Sequence, residues 1–173
     1  LVRPVRRGAV LGAKLVAAWS YAVGLTLLLG LTALAVGRLV FGWGDLVILG
    51  GGLTIFDPRL GFIRLAEGYA LAAAAMGVVA TLALTLSTIF DNAMTAAGLA
   101  VAVLLVSGVV GGLPYFDRLQ PHLLTTHLDA YRYVFDATIN HAELIRSAFY
   151  LAGYALALLI IALLVFDRRD VAC

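Results

Sequence analysis

Long apolar runs separated by short polar stretches dominate this chain. Four of these runs reach the roughly 20 residues that a helix needs to cross a bilayer. They do not alternate apolar and polar residues as the strands of a membrane barrel do, and a lone strand would leave its backbone groups unpaired in lipid. We therefore predict transmembrane helices over about residues 13–36, 68–90, 93–113 and 147–166.

Two connections between the runs are long enough to have structure of their own. The apolar piece from Trp43 to Phe56 is short, holds Asp45 and is broken by three glycines, so we predict an interfacial or re-entrant segment rather than a span. Residues 114–146 form the most polar stretch, and here we predict short helices at the membrane surface. The predicted fold class is all-α, a polytopic membrane helix bundle with about four transmembrane helices.

The composition is typical of a protein whose main solvent is lipid. Hydrophobic residues make up 63% of the 173 residues and charged residues 13%, whereas soluble domains average about 45–50% and about 25%. A chain of this length cannot hide such an excess in one core. The net charge of +2 gives no reason to invoke nucleic acid, and the single cysteine, Cys173, excludes an internal disulfide.

Basic residues flank both ends of the chain. Lysine and arginine next to spans favour the cytoplasmic side of a membrane. An even number of spans puts both termini on one side, so the span count and the two basic flanks agree on cytoplasmic ends. The flanking residues are Arg3, Arg6, Arg7, Lys14, Arg168 and Arg169.

The sequence offers little that could carry catalysis. The span interiors hold no charged residue, which argues against a proton or sodium relay, and no GxxxxGK[ST] motif provides a P-loop for ATP. His122, His127 and His141 match no paired metal-binding spacing, and we predict that they lie on the surface. We expect no catalytic residue, cofactor or metal, and predict that the chain is not an enzyme.

Small and weakly polar residues recur at helical spacing inside the second and third predicted spans. Thr81, Thr85 and Thr88 form one such set, and Gly108 and Gly112 form a small-xxx-small pair. Faces of this kind let helices approach closely. We favour intramolecular packing for them, with a translocation path or a dimer contact as the alternative.

The run RPVRRGAVLGAKLVAAW before the first span resembles the cytoplasmic segment of type-2 ATP-binding-cassette (ABC) permeases. In that family a P-[VI]-[SR]-R…[GA]-K stretch precedes a span and forms a short coupling helix. Residues 82–100, LALTLSTIFDNAMTAAGLA, and residues 165–171, VFDRRDV, are similar to two further places in the family. The resemblance assigns ATPase coupling to Arg3, Pro4, Arg6, Arg7, Gly12 and Lys14.

This resemblance implies a single permease domain over residues 1–173, acting as the membrane subunit of an exporter in a bacterial-type cell membrane. A separate cytosolic ABC ATPase would move the coupling segment, residues 1–12, and rock the spans between inward- and outward-facing states. A second permease subunit, identical or different, and membrane lipid would complete the assembly. Family members usually have further spans upstream, so the spans here would be the last ones, with residues 114–146 as short external re-entrant helices.

Two other classes of function stay open on the residues alone. One is a non-transporting membrane scaffold or assembly subunit. The other is an intramembrane enzyme that uses the polar stretch and its histidines, which would need a charged or nucleophilic cluster reaching across spans. Neither the substrate nor the direction of transport follows from the generically apolar spans.

Overall fold

The computed structural model describes residues 7–49, 53–116, 118–136 and 139–168. Within these residues four helices are long and apolar enough to cross a membrane, which confirms the predicted four-span, all-α bundle. The elements are α1 (Arg7–Phe41), β1 (Leu46–Leu49), β2 (Leu53–Phe56), α2 (Pro58–Ile89), α3 (Ala93–Gly111), α4 (Leu124–Leu128) and α5 (His141–Arg168). Three short 3₁₀ turns flank α4, at Pro114–Phe116, Gln120–His122 and Asp129–Phe135.

The helices run beyond most of the predicted spans because their polar end turns stay helical. α2 begins at Pro58 rather than near residue 68, since Asp57 caps its first turn and proline is favourable at the first helical position. α3 begins where the side chain of Asn92 accepts a hydrogen bond from the backbone N–H of Met94 at 2.9 Å. Capping chemistry therefore sets these ends, whereas apolar composition locates only the middle of each helix.

The connection between α1 and α2 is a β-hairpin, which the sequence analysis did not predict. β1 and β2 pair antiparallel, with Leu46 opposite Phe56 and Val47 opposite Ile55. Opposed residues of an antiparallel pair share one face. Phe56 is buried on the inner face, whereas Val47 and Ile55 are exposed on the outer face. Each strand has four residues and is too short to register as a span.

α1 packs antiparallel along α2, the central helix of the bundle. Leu11 clusters with Leu84 near one end of the pair, and Gly30 lies against the ring of Tyr69 nearer the other end. Between these points α2 approaches α1 closely, because a Cβ at Gly77 would lie 2.9 Å from the indole ring of Trp19. Glycine at this position is therefore required by the distance between the two helices.

α5 runs parallel to α2 and brings the two termini of the described chain together. Leu151 shares a buried cluster with Val78, and Ala162, further along α5, shares a second cluster with Leu84 and Leu11. We call the end of the bundle marked by Leu11, Leu84 and Ala162 the terminus end. The opposite end, marked by β1, β2 and the first turns of α2, is called the hairpin end.

The segment between α3 and α5 enters the bundle from the hairpin end. Leu124, at the start of α4, is buried in the cluster that includes Val78 of α2 and Leu151 of α5. The hydroxyls of Thr125 and Ser107, on α4 and α3, lie 3.0 Å apart. α4 is therefore re-entrant and does not lie flat on the surface, because its apolar and hydroxyl side chains find partners on three surrounding helices.

Candidate functional site

The described part of the basic lead-in, from Arg7 onward, belongs to α1. α1 begins at Arg7 and remains one helix to Phe41. Gly12 has open space around it and Lys14 is exposed, so this part of the helix has a free face at the terminus end. The other residues assigned to ATPase coupling, Arg3, Pro4 and Arg6, lie outside the described residues.

Leu11, in the same helical turn, is tightly held by the rest of the bundle. Leu11 is 1% exposed, and it packs against Leu84 near the end of α2 and Ala162 near the end of α5. Leu15 adds to this contact from the next turn of α1. A displacement of the first turns of α1 would therefore press directly on two other membrane helices. Leu11 lies within the predicted coupling segment, residues 1–12, but the sequence analysis did not single it out, because its burial depends on residues far along the chain.

The three threonines of α2 line a helix-packing face. The Thr81 hydroxyl accepts a hydrogen bond from the indole N–H of Trp19 at 3.0 Å. The Thr85 hydroxyl is 3.1 Å from the carbonyl oxygen of Leu158 on α5 and 2.8 Å from that of Thr81. Thr88 is also buried and donates to the carbonyl oxygen of Thr85 at 2.7 Å. These hydroxyls are bonded within the chain and do not face an open passage.

The glycine pair of the third helix lies on an open surface. No atom of another element comes within 4 Å of a Cβ placed on Gly108. At Gly112 the nearest atoms to such a Cβ are backbone oxygens of the preceding turn, at 3.6 and 3.7 Å. Both glycines are exposed. The described chain thus leaves this surface of α3 to lipid or to another subunit.

His127 is buried, so the prediction that all three histidines lie on the surface is wrong for this residue. Its ring is 4% exposed and stacks on the Tyr150 ring, with centroids 4.3 Å apart. Nε2 lies 2.9 Å from the carbonyl oxygen of Pro121, and Nδ1 lies 3.2 Å from the hydroxyl of Ser147. Because a carbonyl only accepts, the neutral ring donates from Nε2 and accepts the Ser147 proton at Nδ1.

This histidine fastens the re-entrant segment to α5. The Tyr154 hydroxyl of α5 adds a second hydrogen bond to this segment by donating to the backbone carbonyl of His122. His141, by contrast, is exposed at the start of α5. Within the described ranges no group of three or more His, Cys, Asp or Glu is placed to hold a metal ion. No local sequence pattern marks His127 as buried, since its partners come from separate segments.

A cavity of about 200 Å³ lies beside His127, between α1, α2, α5 and the re-entrant segment. Trp19, Leu71, Val78 and Leu151 contribute to walls that are almost entirely apolar. Sites for drug-sized ligands usually measure about 300–1,000 Å³. The cavity therefore suits at most a small apolar group, and in this single chain it is not a continuous passage.

The charged side chains at the hairpin end form exposed local pairs. Asp129 and Arg132 approach to 3.5 Å, and Glu143 and Arg146 approach to 3.8 Å. A hydrogen bond with Tyr131, with the negative charge of Asp129, raises the pKa of Arg132 and keeps its guanidinium charged. Exposed pairs of this kind contribute little to stability.

Comparison with known proteins assigns the chain to a family. Residues 1–172 match the model of a family described as "Protein of unknown function (DUF2705)". The chain is a member of the DUF2705 family. No curated protein and no solved structure matches it. The functional argument for this DUF2705 chain therefore rests on its own residues and on the geometry of the bundle.

Two regions of this DUF2705 chain bring chemistry-bearing residues together. At the terminus end, the basic start of α1 lies against the ends of α2 and α5 through Leu11. At the hairpin end, His127 and its partners hold the re-entrant segment in place. The first region leaves the face of α1 around Gly12 and Lys14 exposed, and the second closes the bundle at the opposite end.

Proposed function

We propose that this chain is the permease subunit of an ABC exporter, powered by ATP that a separate cytosolic ATPase hydrolyses. The proposal starts from a multi-pass membrane protein with four helices able to span the bilayer. It adds the likeness of the basic lead-in to the coupling segment of type-2 ABC permeases. The ends of the chain are taken to face the cytoplasm, and the membrane is taken to be a bacterial-type cell membrane.

The observation that carries the proposal is the continuity of α1 from Arg7 into the span, together with the burial of Leu11. An α-helix is stiff along its axis and has no joint between Arg7 and the membrane span. A force applied to the exposed face around Gly12 and Lys14 would reach Leu84 and Ala162 through Leu11. The lead-in therefore has the mechanical connection that coupling to an ATPase requires.

The energy source is also consistent with the span interiors. Polar or charged groups in mid-membrane mark the ion pathways of secondary transporters. Here no charged residue lies between Lys14 and Arg38 or between residues 68 and 90. The threonine hydroxyls of α2 are occupied by bonds inside the chain. ATP hydrolysis by a separate ATPase is therefore a better energy source than an ion gradient. The helices of the bundle would have to move to open a path for the substrate.

The decisive experiment is purification of the full chain from membranes together with its ATPase. We expect a Walker-motif ATPase to co-purify in a fixed ratio, and its hydrolysis of ATP to be stimulated by the chain. The double variant Arg6→Glu plus Arg7→Glu should weaken this pairing by about tenfold or more, since it reverses two charges at the proposed contact.

The matched control reverses two charges at the other end of the molecule. Arg118→Glu plus Arg132→Glu changes exposed arginines of the hairpin end by the same total charge, and it should leave the pairing intact. Full pairing and full stimulation with the lead-in variant would exclude the coupling segment proposed here. A chain that purifies without any ATPase would favour the scaffold or assembly alternative.

The orientation needs its own test, because basic residues are equally frequent at the hairpin end. The basic residues there are Arg38, Arg59, Arg64, Arg118, Arg132 and Arg146. Cys173 is the only native cysteine and provides one labelling site. We expect a membrane-impermeant maleimide to leave Cys173 unlabelled in intact cells and to label a cysteine placed at Arg132 in a Cys173→Ser background. The reverse pattern would contradict cytoplasmic ends.

A further inference from the structure

The cavity beside His127 lies where the re-entrant segment meets three membrane helices. α1 and α5 are in contact at the terminus end, where Leu11 packs with Ala162. Further toward the hairpin end, Trp19 of α1 and Leu151 of α5 both contribute to the walls of the cavity. The cavity is therefore a space that the side chains of α1, α2 and α5 do not fill.

The cavity opens to the outside of the bundle through a set of alanines. Ala74 of α2 and Ala148 and Ala152 of α5 line the cavity and are also exposed. The side chain of alanine is a single methyl group, so an alanine that both lines a cavity and is exposed marks an opening. We call these three alanines the mouth. Ala152 lies about 17 Å along α5 from His141, where that helix begins, so described residues define the mouth.

The depth of the cavity places it at the level of lipid acyl chains. The uncharged run of α2, residues 68–90, is centred on Val79. At about 1.5 Å per residue, Val78, Ala74 and Leu71 precede this centre by about 1.5, about 7.5 and about 12 Å along the helix axis. The hydrocarbon core of a bilayer extends about 15 Å from its midplane. The walls and the mouth therefore lie within the hydrocarbon layer.

The polar side chains that line the cavity are already hydrogen-bonded. Both ring nitrogens of His127 have partners within the chain. The indole N–H of Trp19 donates to Thr81, and Tyr131 makes a hydrogen bond with Arg132. A water molecule in a cavity needs about two to four polar partners. The cavity therefore favours an apolar guest over water.

The volume of the cavity suits a short piece of hydrocarbon. It measures about 200 Å³, and a dry protein cavity of about 150 Å³ with aliphatic and aromatic walls binds benzene. An apolar cavity without a guest costs stability, because its walls lack van der Waals partners on one side. A slender methylene chain fits both this volume and a mouth formed by alanines.

The surfaces around the cavity indicate where such a methylene chain comes from. In the most apolar windows of α1 and α5, 6% and 11% of the residues are buried inside the structure. Both helices are thus largely surrounded by lipid, and the mouth opens into the same layer at acyl-chain depth. An acyl chain of a bilayer lipid can enter sideways while its headgroup stays at the membrane surface.

We propose that the cavity binds a short length of one acyl chain of a bilayer glycerophospholipid, which enters through the mouth. The methylene groups of this chain contact the ring of Trp19 and the aliphatic walls of α2 and α5. The bound chain fills the space between α1 and α5 and holds Trp19 against α2. The site does not depend on ATPase coupling, because a permease and a scaffold would have it equally. A negative result at this site therefore leaves the proposed function untouched.

The test uses Trp19 as the reporter of an acyl chain inside the cavity. The chain has two tryptophans, so Trp43→Phe leaves Trp19 as the only one. This full-length variant, called the parent variant, is reconstituted without an ATPase in vesicles of phosphatidylcholine. The lipid is either unlabelled or carries bromine atoms near the middle of one acyl chain. Bromine quenches indole fluorescence on contact, so we expect the brominated lipid to quench the emission of Trp19.

A larger side chain in the mouth should block entry of the acyl chain. Ala152→Leu, added to the parent variant, should lower the quenching by about twofold or more, because leucine occupies the space that the acyl chain would use. Ala102→Leu, at an exposed alanine of α3, is the matched control and should be quenched like the parent variant. If Ala152→Leu fails to fold, Ala74→Leu blocks the mouth from α2 and gives the same test.

Two outcomes would overturn the proposal. One is equal quenching of the parent variant, Ala152→Leu and Ala102→Leu, which would mean that lipid contacts Trp19 only from outside the bundle. The other is emission of Trp19 that the brominated lipid does not quench. If that emission changed when the protein was diluted in the bilayer, the occupant of the cavity would be a second copy of the chain.

Discussion

α2 and α3 follow each other in the chain, yet they are buried to very different extents. In the most apolar window of α2, 44% of the residues are buried inside the structure, against 11% in α3. α3 is nevertheless the more apolar of the two by mean hydropathy. In water the more apolar helix would be expected to take the core. The opposite order here shows that hydrophobicity does not select the central helix when lipid is the solvent.

Small and weakly polar residues distinguish α2 instead. Gly77 lets the ring of Trp19 approach, and Thr81 accepts the indole N–H of the same residue. Thr85 bonds across to α5. α3 has a comparable supply of small residues, but Gly98 and Gly108 meet nothing within 4 Å. Close approach and hydrogen bonding therefore determine the centre of the bundle, and four substitution pairs test that conclusion.

The largest effect is expected from removing a buried leucine of α2. Leu82 is 7% exposed, whereas Leu105 of α3 is 65% exposed. Leu82→Ala should destabilise the protein by about 2 kcal/mol or more, because a cavity remains in a packed cluster. Leu105→Ala should change stability by less than about 0.5 kcal/mol, since lipid fills the space. Reversible unfolding in mixed detergent micelles measures the change in the free energy of unfolding for both variants. Equal losses would contradict the difference in burial between α2 and α3.

A methyl group added to glycine gives the next largest difference. Gly77→Ala places a Cβ 2.9 Å from the Trp19 ring and should cost about 1–3 kcal/mol through displacement of α1. Gly98→Ala meets open space. It should be neutral or stabilise by about 0.5–1 kcal/mol through the higher helix propensity of alanine. The same unfolding assay reports both values, and a tolerated Gly77→Ala would mean that α1 and α2 are not in close contact.

Loss of one interhelical hydrogen bond should have a smaller effect. Thr81→Val keeps the shape of the side chain but removes the acceptor of the Trp19 N–H. We expect the free energy of unfolding to fall by about 1 kcal/mol. We also expect the tryptophan emission maximum to shift, because the Trp19 N–H loses its hydrogen-bond acceptor. Thr95→Val, on the exposed surface of α3, is the matched control and should change neither quantity. Unchanged emission with Thr81→Val would contradict the bond.

The smallest effect concerns the hydroxyl contact between α3 and the re-entrant segment. Ser107→Ala removes the contact of 3.0 Å to the Thr125 hydroxyl and should cost about 0.6 kcal/mol, the average for polar contacts between membrane helices. Ser20→Ala is the control, because Ser20 is exposed and donates only to Val16 within its own helix. Hydrogen exchange of the amides of α4 should increase for Ser107→Ala alone.

The same comparison explains which parts of the fold were predictable. The four spans follow from run length and composition, whereas the helical turns of α2 before residue 68 depend on the capping residue Asp57. The hairpin has a local pattern in the paired runs LVIL and LTIF, but each strand is far shorter than a span. The surface prediction fails for His127 because its partners, Pro121 and Ser147, are distant in the chain.

The assignment of ATPase coupling to the lead-in remains a prediction from resemblance. The structure adds that Leu11, in the same segment, packs against α2 and α5. Nothing in the lead-in distinguishes Leu11 from its apolar neighbours, because its burial depends on Leu84 and Ala162.

By itself, the sequence determined that the chain is a bundle of membrane-crossing helices, because uncharged runs of this length can satisfy their backbone groups in lipid only as helices. Tertiary structure alone decided that α2 is central, that α4 enters the bundle, and that Leu11 is buried. These features depend on contacts between residues far apart in the chain. In a solvent as apolar as the side chains themselves, the pattern of hydrophobicity cannot choose among such contacts, and close packing and hydrogen bonds must do so.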